Sequence, residues 1–370
     1  MNKKLTAGLA ALAVATSLVV SGSAAQATTA TAIAGGGSTF AFNALNYCAA
    51  HYDPASNDSV TYSGVGSGSG RSGYVSGSYK WAASDGTFAS SGETLPSGRF
   101  SMVPLLGGPV VFAYNKNSGI PAGLKLDAQT VSKILKGTVA KWNAPAIKAL
   151  NPGKTLPNKA IQVYYRTSGS GTTANLTNYL SQVVGSSEWL ASSKDLKDAS
   201  DGIKSGLTGD NPAGNLASTA LAKSTSSVIA DMLQTVKYSF GYFDLSDAVS
   251  ARVNLVSLKN GNGKFVAPTA AAAAKFLNAQ TAISSSSPTD RVDGTLAIDF
   301  TKNVVGGYQL SVVTYGIGPK GASTEAARAV HDWFTYVVNT CAPAHATALG
   351  YVALTGTLKT VALAQIAGIN

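Results

Sequence analysis

"YYRTSGSGTTANLTNYL", Tyr164–Leu180, is the stretch on which the reading of this chain turns. The preceding "AIQVYYR" predicts a strand ending on Arg166, and the apolar spacing after it predicts a helix. Between them lie six small residues, Thr167–Thr172, rich in hydroxyls and glycine. The ordinary reading is a capped turn, because Ser and Thr are the usual residues at a helix start. The other is an anion site. A helix start offers unpaired N–H groups and the positive end of a dipole, and an arginine adds a charged fork of donors.

The same device occurs twice more. "GGGSTF" (Gly35–Phe40) and "GVGSGSG" (Gly64–Gly70) each stand where a strand or turn gives way to a helix. Three such ends meeting in one cleft would surround an oxyanion with donors. "AASDGTF" adds Asp85, which by itself reads as a turn residue. In an oxyanion cleft a carboxylate repels the ligand unless the ligand brings a proton for it to accept. Hydrogen phosphate brings one; sulfate at neutral pH does not.

Rival motifs are weaker. "GSGRSG" (Gly68–Gly73) matches G-x-G-x-x-G, but the match is short, and cofactor-dependent redox chemistry is out of place in an exported chain. Neither G-x-x-x-x-G-K-[ST] nor G-x-S-x-G occurs. His51, His331 and His345 show no ligand spacing, so no metal is expected. A Ser/His/Asp triad is read from geometry and has no local signature here.

Export is read from the first residues. Lys3 and Lys4 precede an apolar run, Leu5–Val20, and "SAAQA" offers a cleavage site after Ala27, so residues 1–27 read as a signal peptide. No later stretch is long enough for a membrane span, and no cysteine near the cleavage site could carry a lipid. The remaining length suits two domains. Charged residues make up 12% of the chain against 45% hydrophobic, the balance of a globular protein with a proper core. Its formal charge of +10 comes from scattered lysines without a basic run, so a nucleic-acid partner is not expected. The two cysteines, Cys48 and Cys341, are read most economically as one disulfide in an oxidising compartment; two separate buried thiols are the alternative.

Along the chain, strands and helices alternate, which argues an α/β fold with largely parallel sheets. "AGGGSTF" reads as a turn leading into the helix "AFNALNYCAAHY". "FSMVPLLGGPVVFAYN" reads as buried strand interrupted at Gly107, Gly108 and Pro109. "DAQTVSKILKG" is a helix from Asp127 to a stop at Gly137, and "VNLVSLKNGNGKFVAPT" a hairpin turning at Asn260–Gly263. Ile283–Pro288 reads as a serine linker, and residues 185–214 as poorly apolar excursions.

In this order the motifs resemble a known family. "GGGSTF", "YSGVGSGSGR", "ASD", "GGPVVFAYN", "ILKGTVAKWNAPAIKALNPGKTLP", "RTSGSGT", "FGYFDL", "YGIGPKG" and "LGYVAL" follow the pattern of phosphate-binding proteins of the phosphate-specific ABC transporter. The resemblance spans nearly the whole chain beyond the leader. It implies a two-lobed periplasmic-binding-protein (type II) α/β fold, with a hinge and a ligand cleft between the lobes. Residues 28–104 and 313–370 would form the first lobe and 105–312 the second, with crossings near Val103–Leu106 and Leu310–Thr314. Both cysteines would then lie in the first lobe, which fits their pairing.

The resemblance also implies a site. Thr39, the backbone N–H of Phe40, Ser67 and Asp85 would bind phosphate from the first lobe, and Arg166, Ser170, Gly171 and Thr172 from the second. Asp85 would accept the phosphate proton. The implied function is binding inorganic phosphate and delivering it to ABC permease subunits, as an exported monomer without cofactor, metal or catalysis. A phosphoester hydrolase of related fold, or a receptor for sulfate or molybdate, is the alternative. The chain departs from the family in three ways. Ser168 stands where many relatives carry an aspartate that holds the arginine; Gly86 follows the acid in place of proline; and the lipidated cysteine of Gram-positive relatives is missing.

Overall fold

The structure, a computed structural model, describes residues 30–88, 100–166, 169–185, 187–189, 219–282 and 295–369. The leader, Ser168, the serine linker and most of residues 185–214 lie outside the described residues.

The first half runs β1 (Ala32–Gly37), α1 (Phe42–Ala50), β2 (Ser59–Ser63), α2 (Ser67–Val75), β3 (Trp81–Ser84) and the long β4 (Phe100–Tyr114). Next come α3 (Ala128–Leu135), β5 (Gln162–Arg166), α4 (Gly171–Val184), β6 (Leu221–Lys223), α5 (Ser226–Thr235), β7 (Ser239–Asp244) and α6 (Leu245–Ser250). α7 (Ala270–Asn278), β8 (Ser311–Pro319), α8 (Glu325–Tyr336) and α9 (Gly356–Ile366) complete the main elements. Helix starts follow local chemistry. The side chains of Asp127, Ser170, Thr225, Thr269 and Thr324 each accept an N–H from the first turn of the helix they precede.

The main sheet has the order β2-β1-β3-β8-β4-β7-β5-β6, with Asn254–Leu255 paired alongside β4. The alternation of strand and helix is as read, but the sheet is mixed and not largely parallel. β1 pairs in parallel with β2 and β3, and β5 with β6 and β7, whereas β4 and β8 run antiparallel to their neighbours. These two strands carry the chain between the two halves of the sheet, so their direction is set by the crossing and not by a strand–helix–strand unit.

β4 corrects a second expectation. Gly107, Gly108 and Pro109 do not interrupt it; all fifteen residues are buried in one continuous strand. What changes there is the partner. Phe100–Pro109 pairs with β8, and Val110–Tyr114 pairs with β7. Proline, which cannot donate to a ladder, sits at the end of one pairing. Gly107 instead exchanges hydrogen bonds with Val352 at 2.9 and 2.7 Å. β8 shifts register between Thr314 and Tyr315, which re-aims the side chains that follow.

The glycine run Gly35–Gly37 is likewise strand and not turn. Packing explains it: a Cβ on Gly35 would lie 2.1 Å from the Trp81 ring, and one on Gly37 1.9 Å from the Ala83 carbonyl oxygen. Trp81 is fully buried, stacked with Tyr62 at 5.2 Å and packed against Trp333 at 5.6 Å. Absence of side chains at Gly35–Gly37 makes room for this cluster. Behind it Cys48 of α1 is bonded to Cys341, which lies in the helical stretch following α8.

Candidate functional site

The three glycine- and hydroxyl-rich turns meet. Gly68 N–H donates to the Gly169 carbonyl at 2.8 Å, joining the second turn to the third. Gly66, at φ 95°, also lies against the Gly169 carbonyl and donates to Gly37 of β1 at 2.8 Å. Arg166, at the end of β5, reaches across to the first turn and donates through Nη1 to Thr39 Oγ1 at 2.5 Å.

Each expected residue is buried here. Arg166 is 2% exposed, Asp85 4% and Thr39 8%, and Phe40, Ser67, Ser170 and Thr172 are buried at least as deeply as Arg166. Gly171 opens α4 directly against Ser67 and Asp85. Ser170 Oγ caps Thr173 N–H at 3.2 Å, which leaves its own O–H proton for another acceptor. The Phe40 carbonyl accepts from Tyr351 Oη at 2.8 Å, and the two rings meet edge to face.

Asp85 stands on donors from three parts of the chain. Its Oδ1 accepts Ser38 Oγ at 2.6 Å and Thr314 Oγ1 at 2.7 Å, and its Oδ2 accepts Ser67 Oγ at 3.4 Å. Asn175 of α4 donates to its backbone carbonyl at 2.7 Å. Burial pushes the Asp85 carboxyl up, and the hydroxyls of Ser38, Thr314 and Ser67 with the charge of Arg166 work against that. Burial likewise pulls the Arg166 guanidinium down, opposed by Tyr242, Asp85, Asp244 and Asp247.

Several of these partners were not anticipated. Arg166 Nε donates to the Ser224 carbonyl at 3.1 Å and Nη1 to Ser226 Oγ at 3.3 Å. Its backbone N–H donates to Tyr242 Oη at 3.2 Å. Ser224 and Ser226, at the start of α5, thus orient the guanidinium, while Tyr242 of β7 holds the backbone of Arg166. Ser226 had a legible signal, the hydroxyl run "STSS" ahead of a helix. Thr314 had only its oddity as a polar residue in the apolar run "LSVVTYGIG".

Chemically this is a buried cluster that joins the Arg166 guanidinium, several hydroxyls, helix N-termini and the Asp85 carboxyl. It can hold a tetrahedral oxyanion, because desolvating such an ion requires a donor for nearly every oxygen. Among the described residues there is no group of three His, Cys, Asp or Glu able to hold a metal.

Residues 22–340 match the family model of the PBP superfamily domain. The chain is 32% identical over 239 residues to the phosphate-binding protein PstS of Haemophilus influenzae, covering 65% of this chain and 66% of that one. To the phosphate-binding protein PstS of Pasteurella multocida it is 32% identical over 246 residues, covering 66% of each. The chain therefore spans about two thirds of the length of these relatives. Among solved structures, a high affinity periplasmic phosphate-binding protein, PfluDING, bound with phosphate, superposes with a TM-score of 0.69 at 20% identity, covering 90% of this chain and 93% of that one. The phosphate-binding protein from Stenotrophomonas maltophilia gives 0.63 at 18% identity over the same shares. These likenesses show the fold, two α/β lobes about a cleft. With most of its length matched, the chain belongs to the family of the PBP superfamily domain.

Proposed function

We propose that this protein is an exported receptor that closes on inorganic phosphate and delivers it to the permease of an ABC transporter. The observation that carries this reading is the pairing, in one buried chamber, of Arg166 with an acid, Asp85, whose hydroxyl partners hold it in place. An arginine alone suits any oxyanion. A carboxylate beside it suits one that carries a proton. The names of the PstS relatives support the same ligand. Thr39, Phe40, Ser67 and Asp85 bind from one lobe, and Arg166, Ser170, Gly171 and Thr172 from the other.

In this reading residues 28–104 and 313–370 make the first lobe and 105–312 the second, and the protein works as a monomer that binds without turnover. The change of partner along β4, between Pro109 and Val110, supports a boundary on that strand a few residues beyond 104. Calorimetric titration of the purified protein with phosphate, sulfate and molybdate tests the ligand. Phosphate binds tightly and the other two weakly or not at all; equal binding of all three would remove the assignment.

A further inference from the structure

Thr314 is a fully buried hydroxyl within β8, flanked by Val313 and Tyr315, and it belongs to none of the groups assigned to the anion. Its place is set by strand pairing. β8 runs antiparallel to β3 with Tyr315 opposite Ser84, so one further step along the ladder brings Thr314 beside Asp85. There Thr314 Oγ1 donates to Asp85 Oδ1 at 2.7 Å, and Ser38 Oγ donates to the same oxygen at 2.6 Å. Ser38 Oγ also accepts the Ala41 N–H at 3.1 Å, which leaves its own proton for the carboxyl.

The two carboxyl oxygens are therefore unequal. Oδ1 takes two short hydroxyl contacts, of the length found when the acceptor is charged. Oδ2 takes only a long one, 3.4 Å from Ser67 Oγ, and Ser67 is itself assigned to the anion. Two donors on one oxygen have two effects. They favour the carboxylate over the neutral acid, and they keep the group from turning Oδ1 toward a ligand.

We propose that Thr314 is a specificity-determining positioning residue: by saturating Oδ1 together with Ser38, it keeps Asp85 an acceptor and leaves Oδ2 as the oxygen that meets a proton-bearing oxyanion. This rests on the phosphate reading above. Thr314 acts through Asp85 and not on the ligand.

The groups facing the acid agree with this. Arg166, at the end of β5, favours the ionised form, and Arg71 of α2 donates to Ser84 Oγ, one residue away, at 2.7 Å. Tyr62 of β2 and Tyr315 of β8 also face Asp85; burial first, and Asp85 as well, push both phenols up, so neither ionises beside it. α4 packs against Asp85 through Gly171 and Asn175, which do not titrate.

The sign follows. Burial pushes the Asp85 carboxyl up, and the hydroxyls of Ser38 and Thr314 lead the groups that oppose it. Without the Thr314 donor the carboxyl rises further, and the neutral acid is present at higher pH. A neutral acid donates to sulfate instead of repelling it. Discrimination should then fail at a higher pH than in wild type.

The test is competition of sulfate against phosphate on the full chain, from about pH 5 to about pH 8, for wild type, Thr314→Val and Thr314→Ser. Ionisation of phosphate itself is common to all three proteins and cancels. Thr314→Val keeps the shape and removes the hydroxyl. Its sulfate-to-phosphate affinity ratio should exceed that of wild type roughly tenfold at a pH where wild type still discriminates. Thr314→Ser restores the donor and should stay within about threefold of wild type. A valine variant with the wild-type pH profile overturns the proposal. So does a serine variant that follows valine, since packing alone would explain both. Thr314→Ala removes the same hydroxyl without crowding and takes the place of a valine variant that fails to fold. Carbon-13 titration reads the cause directly: Asp85 should ionise at a higher pH in the hydroxyl-free variant than in wild type, and equal values overturn the role. These negative results leave the phosphate reading intact, whereas absence of phosphate binding in wild type removes both.

Discussion

Gly171 begins α4 and Ser67 begins α2, and a Cβ on the glycine would stand 2.6 Å from the serine Oγ. It would also lie 2.9 Å from Asp85 Cβ. On the reading proposed above the two helices face each other across the cleft, so Gly171→Ala should hold the lobes apart. Phosphate affinity should fall at least about a hundredfold, the size of a few kcal/mol of overpacking. Thermal stability of the ligand-free protein should barely change. Small-angle scattering with and without phosphate checks it: wild type compacts and the variant does not.

Arg166→Ala should cost phosphate binding about 3 kcal/mol or more, since a charge-assisted contact to a buried anion is removed. Arg166→Lys should recover only part of this. A lysine cannot replace the fork that now spans Ser224, Ser226 and Thr39. Calorimetry on folded variants decides it, and unchanged affinity in the alanine variant would place the site elsewhere.

On the phosphate reading proposed above, Asp85 should govern selectivity. Sulfate would set lone pairs against its carboxylate in a dry site, a mismatch of several kcal/mol. Asp85→Asn supplies an N–H donor of the same shape and should admit sulfate while leaving phosphate affinity within about tenfold. Because burial holds this carboxyl above its ordinary value, acidification protonates it early, and wild type should lose discrimination as pH falls. Competition titrations with both ions across pH measure this. An Asn variant that still rejects sulfate would sink the role.

Arg328 grips Asp58 at 2.8 and 3.0 Å, while Thr31 N–H adds 2.8 Å. Burial alone would raise Asp58, but the hydrogen bonds from Arg328, Ser56 and Thr31 outweigh it and hold the carboxyl below its ordinary value. A lowered carboxyl stabilises the fold above the ordinary carboxylate pH, and the stabilisation is lost as pH falls through the lowered value. Asp58→Asn should cost about 2 kcal/mol at pH 7 and less at pH 2–3. Denaturant unfolding at both pH values gives the two numbers.

The Cys48–Cys341 bond closes a loop with a sequence separation of 293. Loop-closure entropy sets an upper figure of about 4–5 kcal/mol for its stabilisation. Paired Cys→Ser substitution should lower the unfolding midpoint while leaving phosphate affinity near wild type. A midpoint that does not move would show that the denatured chain gains nothing from release.

Local chemistry made much of this molecule readable. Asp127 and Ser170 announce their helices because a cap involves neighbours three residues apart. The three turns rich in glycine and hydroxyls were visible for the same reason. Gly35–Gly37 misled because the requirement for glycine comes from Trp81 and Ala83 on a neighbouring strand. Gly107–Pro109 misled because a partner change looks, in one dimension, like a break. Thr314 reaches Asp85 across 229 residues of sequence, and no periodicity reports that distance.

The unbroken β4 also limits how the molecule can move. One strand is stitched to β8 along its first part and to β7 along its second, and every residue of it is packed. Such a joint cannot swivel freely or slide, because either motion would tear a ladder; it can only twist, as a leaf spring does. Elastic energy rises with angle, so opening should be a modest, restoring excursion and not a detached state. Cleft size is then set less by how far the lobes can travel than by what their facing rims carry, down to the one hydrogen atom that Gly171 presents in place of a methyl group.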